Sequence, residues 1–199
     1  EEANIISDLR AIGIDVRNVS AQHRVDFGSH VSGSIDAIID KGVPEAPKSK
    51  HIAEFKTASK KAFDDLEKNG VEKSKPEHFV QMQLYMHGTE IDRALYVAVC
   101  KDDDRIHTEW LHYSPEYYER MMQRAERIIK SAEPPPRINE DASWYQCKWC
   151  DHNAICHGTA APRAHCRSCA HATPEMDGNA RWSCALQGHD MPAAGIFAL

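Results

Sequence analysis

Long apolar runs are missing from this chain of 199 residues. No stretch approaches the ~20 residues that a membrane-spanning helix needs, so no membrane association is expected. An excess of positive charge is missing too. Asp and Glu number 30 against 24 Lys and Arg, a formal net charge of −6, which argues against nucleic-acid binding by bulk charge. Cysteine is nearly absent from the body of the chain, where Cys100 stands alone before residue 147. A disulfide framework is therefore excluded there. No secretion leader is visible, and the chain opens at Glu1 without Met, so a further segment is expected upstream.

What is present is unevenly distributed. Nine lysines (Lys41, Lys48, Lys50, Lys56, Lys60, Lys61, Lys68, Lys73, Lys75) share one span with six acids. Such a span is either a local phosphate-binding patch or a solvated surface. The other six cysteines all follow residue 146, in a segment with five histidines (residues 141–199) and no long periodic run. This composition predicts a small metal-stapled region after a body at 1–140.

Hydrophobic periodicity orders the body. Ile5, Ile6, Leu9 and Ile12 fall at helical spacing, with Gly13 closing the segment. "VSGSIDAIID" and "HIAEFKT" read as two strands joined by the Gly- and Pro-containing loop "KGVPEAPKSK", a hairpin. A helix starts near Pro76 and puts Phe79, Met82 and Met86 on one face. "RALYVAVCK" reads as a buried strand and "IHTEWLHY" as the strand returning beside it. Ser114 and Pro115 then open a long helix with Tyr118, Met121, Met122, Ala125, Ile128 and Ile129 on its apolar face, and Pro134–Pro136 end it. The order predicts an α/β fold, a mixed sheet flanked by helices.

Chemistry concentrates on the two hairpin strands. Asp36 sits among isoleucines, where a carboxylate is costly unless it is paired, hydrogen-bonded or metal-bound. Glu54 and Lys56 lie two apart and share a strand face. They are either a solvated ion pair or a metal-holding carboxylate beside an ammonium that handles a water. In "QMQLY", Gln81 and Tyr85 stand four apart, on one face of a helix.

The order "GSIDAII" … "AEFKT" … "QMQLY" resembles the D…(D/E)-x-K and Q-x-x-x-Y motifs of the PD-(D/E)XK nuclease superfamily. Within it the chain is most similar to the RecB-like branch of lambda-type and YqaJ-like phage exonucleases. The resemblance covers roughly residues 1 to 157 and implies a restriction-endonuclease-like core. It implies Mg²⁺ or Mn²⁺ held by Asp36, Glu54 and the Phe55 carbonyl, with Glu2 (or Glu1) as a first-helix ligand. Lys56 would position the attacking water, and Gln81 and Tyr85 would contact the DNA backbone. The activity implied is metal-dependent exonucleolytic cleavage of DNA in phage or bacterial recombination and repair, in the cytoplasm, with a single-strand annealing protein as a possible partner. The alternative is a zinc-stabilised DNA-binding or adaptor module that has lost cleavage.

In the tail, Cys166, Cys169, Cys184 and His189 have the spacing of a Cys₃His zinc site, with His171 as the other candidate for fourth ligand. Cys147, Cys150 and Cys156 form a C-x2-C-x5-C unit. Its spacing resembles the cysteine triplet of iron–sulfur RecB-like nucleases, but no cysteine precedes Cys100 to complete a cluster. Zinc with a histidine (His152, His157 or His112) is the preferred assignment and iron–sulfur the alternative. The tail is expected to be mainly structural, with Trp149 and Trp182 packed on the metal sites. The other use of Lys148, Trp149, Arg163, Arg167, Arg181 and Trp182 is an extension of a DNA groove. His78, beside the Gln81 face, is a candidate phosphate contact.

Overall fold

Alternation at Ile35–Ile39 does build a strand. In the computed structural model, which describes residues 2–28, 30–162, 164–177 and 180–191, helix α1 spans Glu2–Ala11 and strand β1 Asp15–Asp26. Strands β2 (Ser32–Lys41) and β3 (His51–Ala58) form the expected antiparallel hairpin. Helices α2 (Lys60–Ser74) and α3 (Pro76–Thr89) lead to β4 (Arg93–Cys100) and β5 (Ile106–His112). Helix α4 covers Pro115–Lys130. The five strands form one sheet in the order β1-β2-β3-β4-β5, antiparallel except for the parallel pair β3–β4. A parallel pair needs a crossover, and α2 with α3 supply it.

Two of these elements carry weak patterns. β1, "DVRNVSAQHRVD", is mostly polar because it pairs on one side only, with β2. α2 buries Phe63, Leu66 and Val71, but Gly70 interrupts its period at φ +74°. That kink exposes the Val71 N–H, which donates to Glu109 Oε2 at 2.9 Å. A residue with a side chain would be strained at this φ.

The sheet has a core on each face. Ile52, Tyr96 and Ala98 pack with Phe63 and Leu66 of α2 and Phe79, Met82, Tyr85 and Met86 of α3. Ala53, Phe55, Leu95 and Val97 pack with Ile5 and Ile6 of α1 on the other face. Ile12, expected on the buried side of the first helix, lies beyond its end and is exposed. The α3 face is buried as expected, and Gln83 is buried with it. Its amide donates to the His112 carbonyl at 2.9 Å, and its oxygen accepts the Ser114 N–H at 2.8 Å.

The Ser114 hydroxyl caps α4, accepting the Tyr117 N–H at 3.3 Å. The helix stops at Lys130, ahead of the prolines, and buries none of its residues despite its apolar stripe. The chain divides into two compact units, Glu1–Phe27 with Val31–Gln123, and Gly28–His30 with Arg124–Leu199. The second holds short helices α5 (Tyr145–Lys148) and α6 (Asn153–Cys156) and a 3₁₀ turn at Cys166–Ser168. Strands β6 (Ala172–Pro174), β7 (Trp182–Cys184) and β8 (His189–Asp190) make a small antiparallel sheet there. Among the described residues, no helix is long and apolar enough to cross a membrane.

The β2–β3 loop is fastened by Glu45. Its carboxylate meets His51 Nε2 and His112 Nε2, each at 3.2 Å, and the Arg93 guanidinium. Burial pushes the Glu45 carboxyl up, but the His51 and Arg93 hydrogen bonds outweigh it and hold it below the usual range. One side chain thus ties the loop to the ends of β3, β4 and β5. Glu45→Ala, which takes one acceptor from the fully buried His51 and one from the half-buried Arg93, is expected to lower the melting temperature by several degrees. It should also speed proteolysis within residues 42–50. An unchanged melting curve would refute the clamp.

Candidate active site

The β2–β3 ladder sets the site. It runs from Ile39↔His51 to Ala37↔Ala53 and stops where Asp36 would face Glu54. There the half-buried Asp36 carboxylate accepts the Phe55 N–H at its Oδ2, 3.1 Å away. The side chain replaces a ladder carbonyl, and β3 continues in parallel register with β4, Glu54 beside Tyr96 and Lys56 beside Ala98. Glu54 and Lys56 share the face that α2 and α3 cover, and Lys56 Nζ donates to Glu54 Oε1.

Glu54 is fully buried, and its Oε2 meets no hydrogen-bond donor. Burial is the main reason its pKa rises to about 7; the Asp36 charge adds to the rise, and Lys56 opposes it. For Lys56, burial lowers the pKa, but attraction to Glu54 and then Asp36 outweighs it, so the net shift is upward. Lys56 is therefore an ammonium at neutral pH, a donor and not a base. With Glu54 fully buried, the pair is not a solvated surface bridge.

Helix α3 supplies the wall opposite. Tyr85 Oη accepts from Gln81 Nε2 at 2.8 Å and from the Ser34 N–H at 3.2 Å. With both lone pairs engaged, the phenol proton is left to donate. Gly33 permits this approach, since a Cβ there would lie 2.4 Å from Tyr85 Cε1. The Gln81–Tyr85 spacing was visible in the sequence; the contribution of Gly33 and the Ser34 N–H was not, because it depends on β2 passing beneath α3. Also invisible was the hydrogen bond, at 2.9 Å, between His78 Nδ1 and the phenol of Tyr96.

The residues fit the divalent cation that the motif resemblance implies. Two carboxylates from neighbouring strands, one with an orphaned buried oxygen, form the sparse hard-oxygen set that Mg²⁺ or Mn²⁺ takes. Glu2 is exposed in the first turn of α1, whose Ile5 and Ile6 pack on the sheet face opposite Glu54. It does not join Asp36 and Glu54 in a group of three, and Glu1 lies outside the described residues. Among the described residues no three His, Cys, Asp or Glu side chains form a group that could hold a metal, in the tail or elsewhere.

No tail cysteine forms a disulfide among the described residues. Cys147 is buried, Cys166 and Cys184 are half-buried, and Cys150, Cys156 and Cys169 are exposed. Cys184 and His189 pair across the β7–β8 turn, and the 3₁₀ turn carries Cys166 with Cys169 just after it. Trp149, expected to pack inward, is 81% exposed instead. Trp182 is half-buried, with Arg167 over its ring. Arg163 lies outside the described residues. Of the lysine-rich span, Lys41, Lys50, Lys56 and Lys60 are engaged with acids, while Lys61, Lys68 and Lys73 are exposed and form no ion pair among the described residues.

The family model of the PD-(D/E)XK nuclease superfamily matches residues 5–157. A solved structure described as "Crystal structure of SSO0001" is similar over 80% of this chain and 68% of that one, with 19% identity and a TM-score of 0.49. No curated protein sequence matches the chain.

The buried carboxyl makes metal-free stability depend on pH. The folded pKa of about 7 lies above the ordinary 4.5, so the folded state binds this proton more tightly than the unfolded chain. The stabilisation is complete below the unfolded value and is lost as pH rises through the folded one. Denaturant unfolding in EDTA should therefore show stability falling between about pH 5 and pH 8. Glu54→Gln should flatten that fall and be the more stable form at the upper end, by about 3 kcal/mol. Equal pH slopes for the two proteins would contradict the burial argument.

Proposed function

The chain belongs to the PD-(D/E)XK nuclease superfamily, and from that premise we propose that it is a divalent-metal-dependent deoxyribonuclease hydrolysing phosphodiester bonds. The finer assignment is an exonuclease acting on DNA ends in phage or bacterial recombination and repair, with residues 1–140 as its core. The observation that carries the proposal is the buried Glu54 carboxylate, with one oxygen on Lys56, the other orphaned, and Asp36 on the neighbouring strand. A buried carboxylate oxygen without a hydrogen-bond donor among the described residues is the position a cation would fill.

Asp36, Glu54 and the Phe55 carbonyl would hold Mg²⁺ or Mn²⁺, which when bound supplies charge neutralisation and a more acidic water. Lys56, kept protonated by Glu54, donates to the attacking water or to a phosphate oxygen, and stabilises negative charge as it grows there. The Tyr85 phenol, held from two sides by Gln81 and Ser34, has its proton free for a phosphodiester oxygen. Gln81 fixes that phenol and closes the α3 side of the site.

For the tail we propose zinc. One set is Cys166, Cys169 and Cys184 with His189, supported by the turn and hairpin that carry them. The other is Cys147, Cys150 and Cys156, supported by their spacing on and beside the short helices α5 and α6. An iron–sulfur cluster at the second set is the alternative, distinguished by visible absorbance after anaerobic purification.

Labelled linear DNA incubated with Mg²⁺ should be degraded from its ends, Mn²⁺ should substitute, and EDTA should stop the reaction. Lys56→Ala should lower the rate by at least about 100-fold while keeping the circular dichroism spectrum. Cutting at the wild-type rate in this variant would overturn the mechanism. DNA retention with no metal-dependent cutting by the wild type would favour the adaptor alternative. Elemental analysis should find zinc in the purified protein and less of it in Cys169→Ser and Cys184→Ser; zinc-free protein would dismiss the tail assignment.

A further inference from the structure

His78 lies on α3 three residues before Gln81, in the first turn of the helix. Its Nδ1 is 2.9 Å from the phenol oxygen of Tyr96. Tyr96 is 1% exposed and stands beside Glu54 in the β3–β4 ladder. Its phenol has no other hydrogen-bond partner among the described residues. These facts fix a tautomer. If His78 carried its proton on Nδ1 and donated to the phenol, the buried phenol proton would have no acceptor. The arrangement that satisfies both groups has Tyr96 donating to Nδ1, which puts the ring proton on Nε2.

Nε2 makes no hydrogen bond among the described residues. The His78 side chain keeps 22% of its exposure, and the nearest acid, Glu77, lies 4.0 Å from Nε2, beyond hydrogen-bond reach. Burial, followed by the positive charge of Lys56, moves the His78 pKa down; Glu77 opposes the shift and Lys75 adds to it, and the ring is neutral at neutral pH. The positive end of the α3 dipole acts in the same direction. His78 is thus a fixed, uncharged N–H donor within the field of Lys56, on the helix that carries Gln81 and Tyr85.

We infer that His78 is a substrate-binding residue whose Nε2–H, oriented by Tyr96, donates to a phosphate oxygen of the bound DNA strand beside the one held by Tyr85. The inference rests on the nuclease reading and adds to it a residue outside the motifs. A neutral donor suits this place, because Lys56 already supplies positive charge and another would compete with a cation at Asp36 and Glu54.

Binding of a short labelled DNA duplex in Ca²⁺, and its cleavage in Mg²⁺, test the inference. His78→Ala should weaken Kd and raise KM by about tenfold, with kcat and the Mg²⁺ dependence near wild type. His78→Gln, which keeps an N–H donor, should recover most of the loss, and Tyr96→Phe should weaken binding in the same direction. Nitrogen chemical shifts of the His78 ring should report Nε2–H in the free protein and move on adding the duplex, a readout that needs no variant to fold. An Nδ1–H tautomer, or a ring signal unmoved by DNA, would overturn the inference, as would unchanged Kd and KM in His78→Ala. A wild type that neither binds nor cuts DNA defeats the nuclease reading itself. One that cuts DNA while His78→Ala matches it defeats only the role of His78.

Discussion

A carboxylate buried in the sheet organises this protein. Glu54 lies at the centre of the sheet, under α2 and α3, and an ionised carboxyl there is stable only with compensating charge. Lys56 compensates one oxygen and the other is left bare. The surrounding elements all bear on keeping that arrangement. β2 ends its ladder so that Asp36 arrives alongside, β4 runs parallel so that Tyr96 backs Glu54, and α3 closes the opening with Gln81 and Tyr85.

The strain of this centre is offset by ordinary packing elsewhere. Two apolar layers, one beneath α1 and one beneath α2 and α3, fix β3 from both faces. At the strand ends Glu45 collects His51, Arg93 and His112, and Gln83 ties α3 to the end of β5. A buried charge can be held in position only by a frame that does not relax around it. Several of these polar links lie at or near the ends of the strands, away from the Asp36–Glu54 pair.

Much of this frame was legible in the residues. The Ile35–Ile39 alternation, Pro76 at a helix start, the Phe79–Met82–Met86 stripe and the apolar run at Ala94–Cys100 each have one local solution. Elements whose pattern is set by context were harder to read. β1 is polar because it is an edge strand, and α2 loses its period at Gly70, whose positive φ frees the Val71 N–H for Glu109, 39 positions after the glycine. Trp149 shows the opposite failure, a large apolar side chain left exposed where composition suggested a packed one.

By itself the sequence determined which residues could share a face: Glu54 with Lys56 at strand spacing, and Gln81 with Tyr85 at helical spacing. Such relations depend only on the backbone period, which is local. The tertiary structure decided what those faces meet. It put Asp36 on the Phe55 amide, Gly33 and Ser34 under Tyr85, and Tyr96 behind His78. It also decided that Glu54 is buried, and so that Glu54 and Lys56 are no surface pair. Burial and partner identity come from strand order and crossover, which join residues far apart in the chain and leave no periodic mark on either segment.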